Sequence, residues 1–151
     1  ADENMSKREK IASDIITKLD AVTSPIEFKK LTREPFEVEE LSDAQFPAIF
    51  IQSGDETREI LSIGDTGAGT YTGTIDFLLV AFGKGTTTNI DTVRNQLIEV
   101  IEETLDADVT RNGNAIDTQI IEVSTDEGTI YPYGGVRVTA RVFYEFTRGS
   151  A

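Results

Sequence analysis

Residues 71–82 read YTGTIDFLLVAF. Ile75, Phe77, Leu79 and Ala81 form one alternating set, and Leu78, Val80 and Phe82 form the other. Successive side chains of a strand point to opposite faces. A strand apolar in both sets therefore belongs at the centre of a sheet, or has its second face covered by a neighbouring subunit.

On the C-terminal side, GKGTTTN at 83–89 leads into a helix. Thr88 or Asn89 can cap its first turn through a side-chain oxygen, and Asp91 suits the positive end of the helix dipole. Ile90, Val93, Leu97, Ile98, Ile101 and Leu105 then recur at helical spacing. Asn112-Gly113 is a turn signal, and residues 116–124 read as a strand whose alternation is imperfect. The last strand alternates more cleanly. Val136, Val138, Ala140, Val142, Tyr144 and Phe146 share one face, while Arg137, Thr139, Arg141 and Glu145 share the other, with Phe143 as the exception.

On the N-terminal side, FPAIFIQ at 46–52 is a short apolar run expected to be another inner strand. IEFKKLT and FEVEEL precede it, interrupted by Arg33, Glu34 and Pro35, and read as edge strands or extended arms. Residues 53–70 hold a short strand candidate at 57–63 and then GDTGAGT, so this span reads as a flexible arm or loop. From Ser6 onward, Ile11, Ile15, Ile16, Leu19 and Val22 trace an amphipathic helix that ends before Pro25. Residues 1–5 are read as a flexible N-terminus or an appended remnant. The order of helix, several strands, helix and two strands predicts a single α+β domain over 1–151. In it, one mostly antiparallel, mixed sheet packs against two α-helices.

The chain has 151 residues, with 27 Asp and Glu against 14 Lys and Arg, a net charge of −13. Phosphate binding needs the opposite field, so nucleic acid and anionic membranes are not expected as partners. There is no cysteine and no histidine, which removes disulfides, thiolate metal sites, cysteine nucleophiles and a Ser-His-Asp triad. No apolar run approaches the ~18 residues of a membrane span.

The motif candidates read as structure. The glycines Gly64, Gly67 and Gly69 precede a strand without the lysine of a phosphate-binding loop, and Gly83-Lys84-Gly85-Thr86 lacks the upstream glycine. Asp108, Thr110, Asn112 and Gly113 sit at the first, third, fifth and sixth places of a calcium loop. Gln119 fills the place of the bidentate glutamate, and a frame shifted to Asp106 gains Asp117 but loses the glycine. A turn is the simpler account, with a small calcium- or ligand-binding domain as an alternative. The carboxylates of Glu37, Glu39 and Glu40, and of Glu99, Glu102 and Glu103, read as solvated charge. No catalytic residue, metal ligand or cofactor is expected. Basic residues are scarce. Arg137 and Arg141 share a face of the last strand and Lys7, Arg8 and Lys10 crowd the first helix, either paired with acids of the same chain or bridging subunits.

Taken in order, REKIASDIITKL, FPAIFIQSGDE, the Gly/Thr loop, TIDFLLVAF, DTVRNQLIEVIEETL, DADVTRNGNAIDTQIIEVSTDEG and GVRVTARVFYEF resemble the tail terminator and minor tail (tail completion) proteins of long-tailed bacteriophages. The resemblance spans nearly the whole chain. It implies a non-enzymatic virion protein at the head-proximal end of the tail, assembled in the host cytoplasm as a homo-oligomeric, hexameric ring. Such a ring caps the tail tube protein, stops its polymerisation and joins a head-completion or connector protein, while DNA passes through without specific binding. A head-tail connector or a tail-tube component is the related alternative. Interface residues expected on this reading are Lys7, Arg8, Arg137, Arg141, Gly64, Gly67, Gly69 and Tyr71.

Overall fold

The first helix, α1 (Lys7–Asp20), starts where Ser6 turns its hydroxyl back to accept from the Glu9 N–H at 3.2 Å. Serine at this position satisfies a donor that the helix itself leaves open. Ile11, Ala12, Ile15 and Leu19 form its buried face. The second helix, α2 (Ile90–Asp106), buries Leu97, Val100, Ile101 and Leu105, while Ile98, expected on the stripe, stays half-exposed. Asn89 holds its N-cap position, but its side chain does not make the expected capping hydrogen bond. The computed structural model describes residues 6–24, 26–62, 69–85, 89–126 and 133–147. Residues 1–5, Gly64, Gly67 and Thr88 lie outside them.

Both helices lie on one side of a five-stranded, open, mixed sheet, which makes the chain α+β as expected. Its strands are β1 (Lys30–Thr32), β2 (Ala48–Ser62), β3 (Thr70–Lys84), β4 (Asp117–Thr125) and β5 (Tyr133–Thr147), in the order β1-β2-β3-β5-β4. Only β1 and β2 pair in parallel; the other pairs are antiparallel. The doubly apolar strand β3 is central, and it pairs with β5 without interruption from Thr70↔Thr147 to Lys84↔Tyr133. Ile75, Phe77, Leu79 and Ala81 of β3 meet Val136, Val138, Ala140, Val142, Tyr144 and Phe146 of β5 beneath the helices.

Three expectations change. Residues 53–62 are not an arm: they continue β2 along β3. Pairing shifts between Ser53 and Glu56, where one extra residue is absorbed as a bulge, and resumes at Glu56↔Ile75. The long β3 supplies backbone partners that this polar stretch needs whatever its side chains. FEVEEL is not a strand. After Pro35 the chain makes two short 3-10 turns, Val38–Glu40 and Asp43–Gln45, the second closed by a reciprocal Ser42–Gln45 box. Here Phe36 and Val38 turn inward, Phe36 onto the rings of Phe50 and Phe82. IEFKKLT contributes only the three residues of β1. The imperfect alternation of β4 has its cause in a register shift between Ile120 and Glu122.

Candidate assembly surface

The side of the sheet away from the helices carries Leu78, Val80 and Phe82 of β3 and Phe143 of β5, all half-buried. Phe36 covers the corner at Phe50 and Phe82. Among these apolar groups sits an ionic pair set by the strand register. Asp76 and Arg141 are directly opposite, and the guanidinium donates twice, from Nε to Oδ1 at 2.8 Å and from NH2 to Oδ2 at 3.1 Å. The Asp76 carboxylate raises the Arg141 pKa. Arg137, two alternations away beyond Thr139, is exposed and has no ion pair among the described residues. It borders a shallow groove of about 410 Å³ with Val80, Phe82, Ser124 and Val136.

The basic end of α1 is spent differently. Lys7 donates to the Glu145 carbonyl at 2.6 Å. Arg8 reaches Glu56 at 2.6 Å and the Gly54 carbonyl at 3.3 Å. The bulge in β2 is what turns Glu56 to the helix side, opposite Ile75. There its side chain is only 5% exposed and also accepts from Arg58 and from the Tyr144 hydroxyl, each at 2.6 Å. Burial pushes the Glu56 pKa up, but the hydrogen bonds from Arg58, Tyr144 and Arg8 outweigh it and the net shift is downward. The same burial and the carboxylate push Tyr144 up to about 12. Gly73 makes the room: a Cβ there would lie 2.4 Å from Cε1 of Tyr144. Arg58 in turn lies over the Phe146 ring, and Tyr71 packs edge-on against that ring. Gly69, just before β3, is buried.

Of the residues expected at an interface, Lys7, Arg8 and Arg141 thus have partners within the chain, and Arg137 stands on the half-buried face without an ion pair among the described residues. Sequence reasoning missed Asp76, Glu56 and Tyr144. A lone acid inside YTGTIDFLLVAF signals Asp76, because a charge amid apolar residues of an inner strand needs a cross-strand partner.

The turn after α2 uses its acids internally. Asp108 accepts from the Thr110 hydroxyl and N–H and from the Asn112 N–H, and Lys18 lies 3.1 Å from its second oxygen. These contacts hold the Asp108 carboxyl well below the usual range. The Lys18 ammonium already answers the charge of this carboxylate. Arg111, Asn112 and Gly113 follow one another at positive φ, the region that favours glycine. That path carries the fully buried Arg111 side chain under the loop, where it donates to the carbonyls of Leu105 and Asp108 and lies 3.6 Å from Asp14 of α1. No group of three or more acids among the described residues is placed to hold a metal ion.

No family model matches the chain, and no curated protein does. Among solved structures, a chain from the virion of a native gene transfer agent particle is similar over 93% of this chain and 92% of that one, at 8% identity and a TM-score of 0.37.

Proposed function

We propose that this chain is a structural virion protein, a tail terminator whose copies form a hexameric ring on the tail tube, end its growth and offer the head-side joining surface. The observation that carries this reading is the half-buried apolar face of the β3–β5 pair, which lies opposite the helices and holds Arg137, without an ion pair among the described residues. In a chain of net charge −13, a surface with aliphatic and aromatic groups around a free cation suits contact with another acidic protein surface. The order of segments that resembles tail terminators supports the same reading. The acidic excess also suits a channel through which DNA slides, since like charge suppresses phosphate contacts. Cyclic repetition of one contact closes such a subunit into a ring.

The test is the solution mass by light scattering, followed by negative-stain imaging with and without tail tubes assembled from the purified tube protein. The expected result is a particle about six times 16.6 kDa, or six-fold rings seated on tube ends that no longer elongate. A monomer that leaves tube growth unchanged rejects the proposal.

A further inference from the structure

The large hydrophobic side chains exposed among the described residues all sit at the sheet's edges. Ile60 is on β2, Ile121 and Val123 are on β4, and Ile116 immediately precedes β4. At 63% Ile60 is the most exposed of them. Among the described residues β1 covers only Ala48 to Phe50 of β2, so residues 51–62 have no strand on their outer side. β4 has none along its nine residues. Native edge strands are commonly guarded by Lys, Pro or very short length. DTQIIEVST has no Lys and no Pro.

The directions of these two edges match. β2 is antiparallel to β3, β3 to β5 and β5 to β4, so β2 and β4 run in opposite senses at the two ends of one sheet. A second copy set alongside in the same orientation therefore brings its β2 antiparallel to β4. The helix-side flanks match in charge as well. Glu102 and Asp106 of α2 border β4 in a recess that includes Ile121 and Val123. The basic start of α1 borders the free part of β2, through the contacts of Arg8 with Glu56 and Gly54. Ile60 and Val123 both lie on this helix side, opposite Tyr71 and Val138 respectively.

We infer that β4 of one copy pairs antiparallel with the free part of β2, within residues 51–62, of the next copy. The contact joins unlike edges, so it repeats head to tail and, once the ring closes, leaves only the three-residue β1 as an edge. The acidic end of α2 in one copy then faces the basic start of α1 in its neighbour. This inference rests on the ring-forming reading above and adds the surfaces that make the ring.

Two variants test it, Ile60→Lys and the double substitution Ile121→Lys with Val123→Lys. All three positions are exposed, so each variant should keep the far-ultraviolet circular dichroism and thermal midpoint of the wild type. Each alone is expected to remain at monomer mass at concentrations where the wild type assembles. An equimolar mixture should give a species of about twice 16.6 kDa and nothing larger, because one intact edge remains on each partner. Ile60→Val and Val123→Ile should assemble normally.

If the wild type forms rings and both variants do too, edge pairing is wrong while the ring reading stands. A mixture that stays monomeric, or one variant that dimerises alone, rejects the pairing of unlike edges. A wild type that is monomeric at every concentration and ignores tubes overturns both the inference and the ring reading.

Discussion

The two faces of the β3–β5 pair are built from alternate residues of the same two strands, yet only one is finished within the chain. Phe77 is fully buried beneath α1 and α2, and Leu78, the next residue, is half-exposed on the bare side. On the helix side the buried carboxylate of Glu56 is satisfied locally, held by Arg8, Arg58 and Tyr144. On the other side Arg141 is matched by Asp76, and Arg137 is left over. The helix side therefore stabilises the monomer, and the half-buried bare side keeps apolar area that a partner can still cover.

The largest expected effect separates the faces directly. Phe77→Ala should cost about 3–5 kcal/mol of unfolding free energy, the range for emptying a packed aromatic site. Leu78→Ala should cost less, about 1–2 kcal/mol in the monomer, because the side chain is only partly buried and its loss leaves an open dent rather than a closed cavity. Urea titration of both variants measures the difference. Equal losses would mean that the bare side is as filled as the core.

A second comparison tests the polar rim of the finished side. Glu56→Gln should cost about 1–3 kcal/mol at neutral pH through weakened charge-assisted hydrogen bonds. The Glu56 pKa is lowered by folding, so its stabilisation is present above the ordinary carboxylate value of 4.5 and is lost as pH falls through the folded value. The Gln variant should lose that part of the acid limb. For Tyr144 the sign is opposite. Its pKa is raised from 10.0 to about 12, so stability is fully present below pH 10 and lost as pH rises toward 12. Tyr144→Phe should flatten that alkaline limb. Thermal midpoints across pH 3 to 12 check both. Gly73→Ala should destabilise by about 1–3 kcal/mol, since its Cβ would overlap the Tyr144 ring, and denaturant titration reads this.

These groups also show where sequence reading stops. β3, β5 and both helices were legible because their apolar periodicity matches a core on one side. Within residues 53–62 only the candidate at 57–63 reads as strand; SGDETREILS as a whole forms strand because β3 offers a long partner, and the partner is a tertiary fact. FEVEEL alternates like a strand, yet Pro35 and the Ser42–Gln45 box turn it, and Phe36 packs across the sheet instead. Glu56 reads as one more acid in an acidic chain. It becomes central only because a bulge two residues earlier changes the face it points to. Arg111 lies in a turn that the Asn-Gly signal marks, but its burial depends on Asp14 of a distant helix.

The smallest effect on stability bears most on function. The Asp76–Arg141 pair is partly exposed, with side chains 35% and 41% accessible, so it contributes roughly 0.2–1 kcal/mol. Arg141→Glu should destabilise the monomer by about 1 kcal/mol through the new repulsion with Asp76. Arg137→Glu should stay within about 0.5 kcal/mol of the wild type, since among the described residues it breaks no ion pair. If the bare side is a contact surface, both reversals weaken ring formation by light scattering, and their circular dichroism remains that of the folded chain. Arg137→Glu should weaken it more per unit of monomer stability lost, because its charge is not already answered within the chain. Unchanged assembly in both variants would remove the arginines from the interface and leave the sheet edges to carry it.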